Sequence, residues 1–543
     1  MNDMIMIRRL AEITDREKNI KYTELGVEQA DGSTVKLIIK PGELWDARKV
    51  GMKLLDKGAK LEVSRETVAK IEALATQIAT ENAFIAKRGW NQSPWAFNIR
   101  DDVLGPNAAS YRVDPNTPQS SYGQIRRAGD LNGALLLAEE CFCSVALTMG
   151  LCAGYAALVV SFLKMNPFLL MFFGESKSGK TTAALLAVCH FGQYRESHLM
   201  ALSGTGAGVE EAAVHMAGWP TVLDETATMN LSVPNLVNLV RERVFNFSHG
   251  REKVRASSYN NGLSGREISG LVIITGVKSI SCLAKQVNID MTDGMASRLM
   301  EVQAHQKNNE TCIDLYPKGM SDKEKTAYGR RKLKDIHALM AKNHGLTHEA
   351  FILKMLENPA AVEVEARLLM EEFKKHPDTL SNDSIQHAVN SYSTLYVGGR
   401  LAMKWGLMPN KPEKLLAHLQ RGLKRLEWRG KEDEKIASRA YKKLLLAIEA
   451  APARSKLANG DADTHPMFRR KAANGDIEYV VSVKEMRRLA GDARCLNLLF
   501  ERLIRQGMIT IRHHEERTWT RKVQLNVAWP DRKCKAILIK AIR

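Results

Sequence analysis

The chain has 543 residues, 45% of them hydrophobic and 26% charged, with a formal net charge of +18 and a pI near 9.4. At about 150 residues per domain that length holds three or four domains with a real core, and the composition excludes a disordered, fibrous or disulfide-framed chain. The positive balance points to a polyanionic partner, nucleic acid ahead of a membrane surface, with a merely basic surface as the alternative.

The eight cysteines, at 141, 143, 152, 189, 282, 312, 495 and 534, form no paired C-x-x-C motifs. That argues against structural zinc and suits a reducing cytoplasm. The first residues, MNDMIMIRRLAEI, have no sustained apolar run, so no signal peptide is expected and the localisation expected is cytoplasmic.

Residues 1–118 read as an α+β region. Two β-rich runs, 22–29 and 33–40, flank Asp31-Gly32, a hairpin signal. Helical spacing follows at 45–57 and 64–79, then a strand pair over 88–98 rich in aromatics. Those rings suit a core; stacking on bases is the alternative. Residues 114–119 are a polar, proline-containing connector. The apolar stretch 135–163 is long enough to cross a bilayer, but Glu139, Glu140, Ser144, Gly150 and Gly154 interrupt it. A helix buried against a central sheet is expected there, and no membrane partner.

An α/β nucleotide-binding domain is expected over 119–305. Its centre is the run from Phe168 to Thr182, an apolar strand, a glycine turn and the start of a helix. Gly174, Gly179, Lys180 and Thr181 fit G-x-x-x-x-G-K-[ST]. Such a loop, Gly174, Glu175, Ser176, Lys177, Ser178, Gly179, Lys180, Thr181 and Thr182, wraps phosphates with its backbone N–H groups at a helix N-terminus. Lys180 would reach the β- and γ-phosphates of ATP, and Thr181 would hold Mg²⁺. A glycine-entered helix follows at 206–216. Then an apolar run ends in Asp224-Glu225, about forty residues after the loop. Asp224 would orient the metal and Glu225 would polarise the attacking water.

A helix over 233–247 leads into a basic segment in which Arg251, Lys253 and Arg255 alternate as on a strand before the turn Asn261-Gly262. It reads either as a solvated hairpin or as a pore loop gripping a phosphate backbone. The next buried strand, 270–276, ends near Thr275, in a position to sense the γ-phosphate. Arg298 stands just before another apolar strand; it reads as a surface arginine or as one reaching a neighbouring subunit's nucleotide.

Residues 306–450 read as a helical lid, opened by the capping box Ser321 to Glu324. Residues 451–474 read as a linker. Residues 475–543 read as strand, helix (483–489), helix (493–506) and a hairpin of 508–512 with 521–527, the order of a winged helix. Arg494, Arg502, Arg505, Arg512, Arg517, Arg521 and Lys522 would give it a DNA-facing charge; a winged helix used for protein contacts is the alternative.

Together these residues resemble the P-loop ATPases catalogued as domain of unknown function 927, from phages, plasmids and chromosomal cassettes. The resemblance runs from about residue 88 to 415, through Gly89-Trp90, the phosphate loop, the Gly-Val-Glu-Glu helix, Leu223-Asp224-Glu225, the Gly-Arg-Glu-Lys hairpin and Arg298, and more loosely through 390–403. The family's strand-end motif usually continues with Gly-Glu where this chain has Gly276-Val277. The resemblance implies an AAA+ core near the minichromosome-maintenance helicases. It also implies a hexameric ring with Lys180, Thr181, Asp224 and Glu225 of one subunit facing Arg298 of the next. The function expected is ATP-driven translocation on single-stranded or forked DNA, most simply as a helicase of a mobile element. A nucleotide-switched initiator or regulator, and an ATPase of phage defence, are the alternatives.

Overall fold

The computed structural model describes the chain except for residues 1–5, 17–18, 101, 115–123, 225–230, 252–266, 288, 290–297, 306–309, 377–378, 380–385, 452–466, 472–476, 492, 510–535 and 541–543. The amino-terminal sheet is built from β1 (Ile7–Asp15), β2 (Ile20–Glu28), β3 (Thr34–Ile39), β4 (Glu81–Ala86) and, later in the chain, β8 (Tyr111–Val113), in the order β3-β2-β1-β4-β8. β2 and β3 pair antiparallel about Asp31-Gly32, as their spacing predicts, with Gly32 in the left-handed region at φ 81°. Helices α1 (Ala47–Asp56) and α2 (Arg65–Ala73) bury Val50, Leu54 and Ile71 against Leu25, Val27, Leu37 and Ile39. α2 stops short of the expected 64–79.

The strand pair is β5 (Gly89–Asn91) with β6 (Ala96–Asn98), extended by β7 (Val103–Leu104). Its aromatics are core. The Trp90 indole sits edge-on to Phe97 and Phe162, and its Nε1–H donates to the Leu158 carbonyl at 3.1 Å.

The apolar stretch is two helices, α3 (Leu131–Cys141) and α4 (Val145–Phe162), where the sequence suggested one. The break falls at Ser144, whose side chain accepts from Leu147 N and caps α4. All 18 residues of α4 are buried inside the protein, so a length and hydropathy that could span a bilayer are used as the central helix of a core. Glycines let it approach its neighbours closely. A Cβ on Gly150 would stand 2.0 Å from the Ala183 carbonyl oxygen, and one on Gly398 2.6 Å from the Ala156 nitrogen.

The central sheet is parallel, in the order β10-β11-β12-β9-β13: β9 (Leu169–Phe173), β10 (Met200–Ala201), β11 (Pro220–Asp224), β12 (Leu271–Gly276) and β13 (Leu299–Gln303). Alternate residues serve opposite faces. Leu170 and Phe172 face α4 and α5 (Lys180–Cys189), whereas Leu169, Met171 and Phe173 pack with α6 (Gly206–His215), α7 (Val233–Ser248) and α8 (Ile280–Gln286). The result is a three-layer α/β arrangement.

Beyond it come α9 (Asp322–Lys342), α10 (His348–Glu357), α11 (Pro359–Lys375), α12 (Gln386–Lys404) and α13 (Pro412–Glu449). The capping box of α9 is present as the sequence predicts: Ser321 accepts from Glu324 N while the Glu324 carboxylate accepts from Ser321 N at 2.8 Å. The helices expected to form a lid share one continuous core with α4, through Phe351, Tyr392, Tyr396, Leu415 and Leu419. α13 is about 57 Å long at 1.5 Å per residue. Its first half belongs to that core, and its last turns, with Tyr441, Leu444 and Ile448, to the carboxy-terminal one.

The carboxy-terminal module corrects the sequence reading twice. Met467–Lys471, inside the expected linker, is a strand, β14, with Met467 and Phe468 buried. It pairs with β15 (Ile477–Ser482), which also pairs with β16 (Ala536–Lys540), a strand that was not expected. α14 (Val483–Ala490) and α15 (Ala493–Arg505) match the expected helices. Most of the expected hairpin, including Arg512, Arg517, Arg521 and Lys522, lies outside the described residues.

Candidate nucleotide site

The parallel sheet gathers the candidate residues at the carboxyl ends of its strands, where open α/β sheets bind ligands. The turn from β9 into α5 is the glycine loop. Gly174 N donates to the Gly276 carbonyl at 3.0 Å, tying the loop's start to the end of β12. Lys177 at φ 64° and Gly179 at φ 97° take left-handed conformations. At Gly179 only a hydrogen fits, because a Cβ would stand 2.6 Å from Cys312 Sγ. Lys180 is 7% exposed and its Nζ reaches the Glu175 carbonyl at 3.5 Å, closing the loop on itself. Thr181 follows in the first turn of α5, and Thr182 Oγ1 bonds to His337 Nε2 of α9 at 2.8 Å. The Cys312 N–H donates to the Ser178 carbonyl at 2.7 Å, so the segment after β13 braces the loop from outside.

Asp224 ends β11, and Thr275 lies beside it near the end of β12. The fully buried Thr275 hydroxyl donates to Asp224 Oδ1 at 2.5 Å. The sequence named both residues separately; the sheet register makes them partners, since Leu223 pairs with Ile274. Glu225 lies outside the described residues.

Arg298 does not join this group. It precedes β13 at the opposite, amino edge of the sheet, where its carbonyl accepts from Leu169 N at 2.8 Å and its guanidinium stands 5.6 Å from the Phe245 ring centre. The base of the basic segment lies at the same edge. Arg251 bridges antiparallel to Glu267, and Ile268 N donates to the Gly250 carbonyl at 2.9 Å. Lys253 and Arg255 lie outside the described residues. Among the carboxy-terminal arginines, Arg494 is on α15. Arg502 is turned inward, a correction to its expected DNA-facing role. It donates to Ser438 Oγ at 2.6 Å and lies over the Tyr441 ring, fastening α15 to α13.

One residue here escaped the sequence reading. His305, two residues beyond β13, stands against the loop, its Nδ1 2.7 Å from where a Cβ of Gly174 would be. Burial holds its pKa below the ordinary value; Lys180 adds to that and Glu175 opposes it. The only signal was its place just past an apolar strand.

The far end of α5 is fixed by two neutral histidines. His190 takes Thr347 Oγ1 at 2.8 Å on Nδ1 and the Leu151 carbonyl at 3.0 Å on Nε2, and His348 Nδ1 meets the His190 carbonyl at 2.7 Å. Burial pushes His190 down to about 4 and His348 down to about 3. Unfolded histidines titrate near 6.5, so below that pH the unfolded chain gains protons that the folded one refuses. Their contribution is complete above pH 6.5 and lost as pH falls toward 4, on the order of 3 kcal/mol for His190 alone. Urea midpoints should therefore fall steadily from pH 6.5 to 4, and His190→Gln should flatten that slope. An unchanged slope would contradict this account.

With the geometry in place, the chain can be set beside known proteins. It matches a solved structure described as "SCCmec type IV Cch - active helicase" at 15% identity and a TM-score of 0.61, over 99% of this chain and 93% of that one. A second, "The A form apo structure of NrS-1 C terminal region-CTR", aligns at 12% identity over 72% of this chain and 87% of that one, with a TM-score of 0.25. No curated protein matches the chain. The first match gives the two chains a common fold over nearly their whole lengths. Residues 3–265 match the family described as "Domain of unknown function (DUF927)", a match that starts well before the motifs at Gly89 and ends before β12. Over those residues the chain is similar to the DUF927 family.

Proposed function

We propose that this protein is an ATP-hydrolysing DNA translocase with an AAA+ core, working as a ring-forming helicase of a mobile element. The observation that carries the reading is the constellation at one sheet edge: the glycine loop with Lys180 and Thr181 on β9–α5, and Asp224 hydrogen-bonded to Thr275 at 2.5 Å two strands away. The fold shared with a mobile-element protein described as an active helicase supports it.

In this reading the loop N–H groups and the start of α5 bind the β-phosphate, and Lys180 spans the β- and γ-phosphates. The available metal donors are the Thr181 hydroxyl and the Asp224 carboxylate, an oxygen-only set that suits Mg²⁺; the ion would neutralise charge developing on the phosphates. Thr275 fixes the Asp224 carboxylate. Glu225, next in the chain, takes the proton of the attacking water. Because Arg298 is at the far edge from its own loop, it serves a neighbour's nucleotide, which requires an oligomer; the resemblance sets that at six. Arg251, at that same edge, with Lys253 and Arg255, holds the DNA backbone. The carboxy-terminal module is a winged helix that adds DNA affinity through Arg494, Arg512, Arg517 and Arg521.

Single-turnover ATP hydrolysis with and without single-stranded DNA tests this reading. A motor is strongly stimulated. Replacing Arg251, Lys253 and Arg255 with Ala should remove most of that stimulation and flatten the salt dependence of DNA binding, by a slope of about 0.7 per lost contact. A slow rate indifferent to DNA would favour a nucleotide-switched initiator instead.

A further inference from the structure

We infer that His305 is a positioning residue of the phosphate loop, which nucleotide locks in place through a hydrogen bond between His305 Nδ1 and Ser178 Oγ. This rests on reading the loop as a nucleotide site. Both atoms are buried, and neither has a hydrogen-bond partner among the described residues. A buried hydroxyl and a buried ring nitrogen left unpaired are each destabilising, and two of them together beside a binding loop call for an explanation. Both stand close beside Gly174. A Cβ there would lie 2.7 Å from His305 Nδ1 and 3.0 Å from Ser178 Oγ, so the glycine leaves open the gap that the bond would cross.

His305 follows β13, which is paired along its length with β9, and the preceding Ala304 N donates to the Phe173 carbonyl at 2.8 Å. Ser178 is in the loop itself, one residue before Gly179, and the nearby Lys180 Nζ turns inward to the Glu175 carbonyl at 3.5 Å. Phosphate draws Lys180 and the loop N–H groups toward itself, and the loop around Ser178 adjusts with them. The neutral imidazole has one ring nitrogen able to accept, and the serine hydroxyl supplies the proton. No other side chain is needed. The bond then holds the loop in the shape that binds phosphate, anchored to β13.

The experiment is a double-mutant cycle on the full chain, read as the affinity for a fluorescent N-methylanthraniloyl ATP with Mg²⁺. His305→Ala and Ser178→Ala should each weaken binding about 3- to 10-fold, as loss of one hydrogen bond does, and the double variant no further than the weaker single. His305→Asn, whose amide occupies much the position of Nδ1, should restore binding to within about twofold. Additive losses, unchanged affinities, or failure of His305→Asn to restore binding while Lys180→Ala still removes it would overturn this inference and leave the loop's assignment standing. A wild-type protein that binds no nucleotide would overturn both.

Discussion

Lys180→Ala should weaken nucleotide binding roughly 100-fold. A charge-assisted hydrogen bond is worth about 1.5–3 kcal/mol, and the upper figure, suited to an ammonium shared between two phosphates, corresponds to that factor at 1.4 kcal/mol per tenfold. The substitution is a clean one. In the free protein Nζ makes a contact of 3.5 Å with the Glu175 carbonyl, so little folding energy is attached to it. Wild-type protein at 100 times its dissociation constant should gain about 2.7 kcal/mol of stability from ATP and Mg²⁺, and the variant almost none. Titration calorimetry, with melting curves in parallel, reads both. Equal affinities would remove Lys180 from the site.

Glu225→Gln should separate binding from chemistry. A positioned general base contributes about 10²- to 10⁴-fold, so turnover should fall at least ~100-fold while ATP affinity stays within a few-fold of wild type. The neighbouring Asp224, held by Thr275 at 2.5 Å, keeps its carboxylate in this variant. Rapid-quench measurement of a single turnover checks the chemical step directly. Full turnover in Glu225→Gln would move the base elsewhere.

Local chemistry was the legible part. The strand, glycine turn and helix around Gly174 to Thr182 follow from spacing alone, as do the Asp31-Gly32 hairpin and the Ser321 to Glu324 capping box. What depends on partners distant in the chain was not. Thr275 and Asp224 are 51 residues apart, and only the parallel register brings hydroxyl to carboxylate. Arg502 looked like one more basic residue of a DNA-facing helix, yet Ser438 and Tyr441 of α13 turn it inward. Met467–Lys471 sits in a run of small and polar residues that reads as linker, and becomes a strand because β15 offers an edge. The α3–α4 break was hidden because hydrophobicity is continuous across it, and only the Ser144 cap marks it. His305 has no motif at all. Its place comes from β13 lying next to the strand that feeds the loop.

The central claim, that nucleotide chemistry at this sheet edge drives movement on DNA, is tested most directly by strand displacement on a labelled forked duplex. The account predicts ATP- and Mg²⁺-dependent release of the displaced strand by wild-type protein and none by Lys180→Ala. Wild-type protein that hydrolyses ATP on the fork but never releases a strand would contradict it.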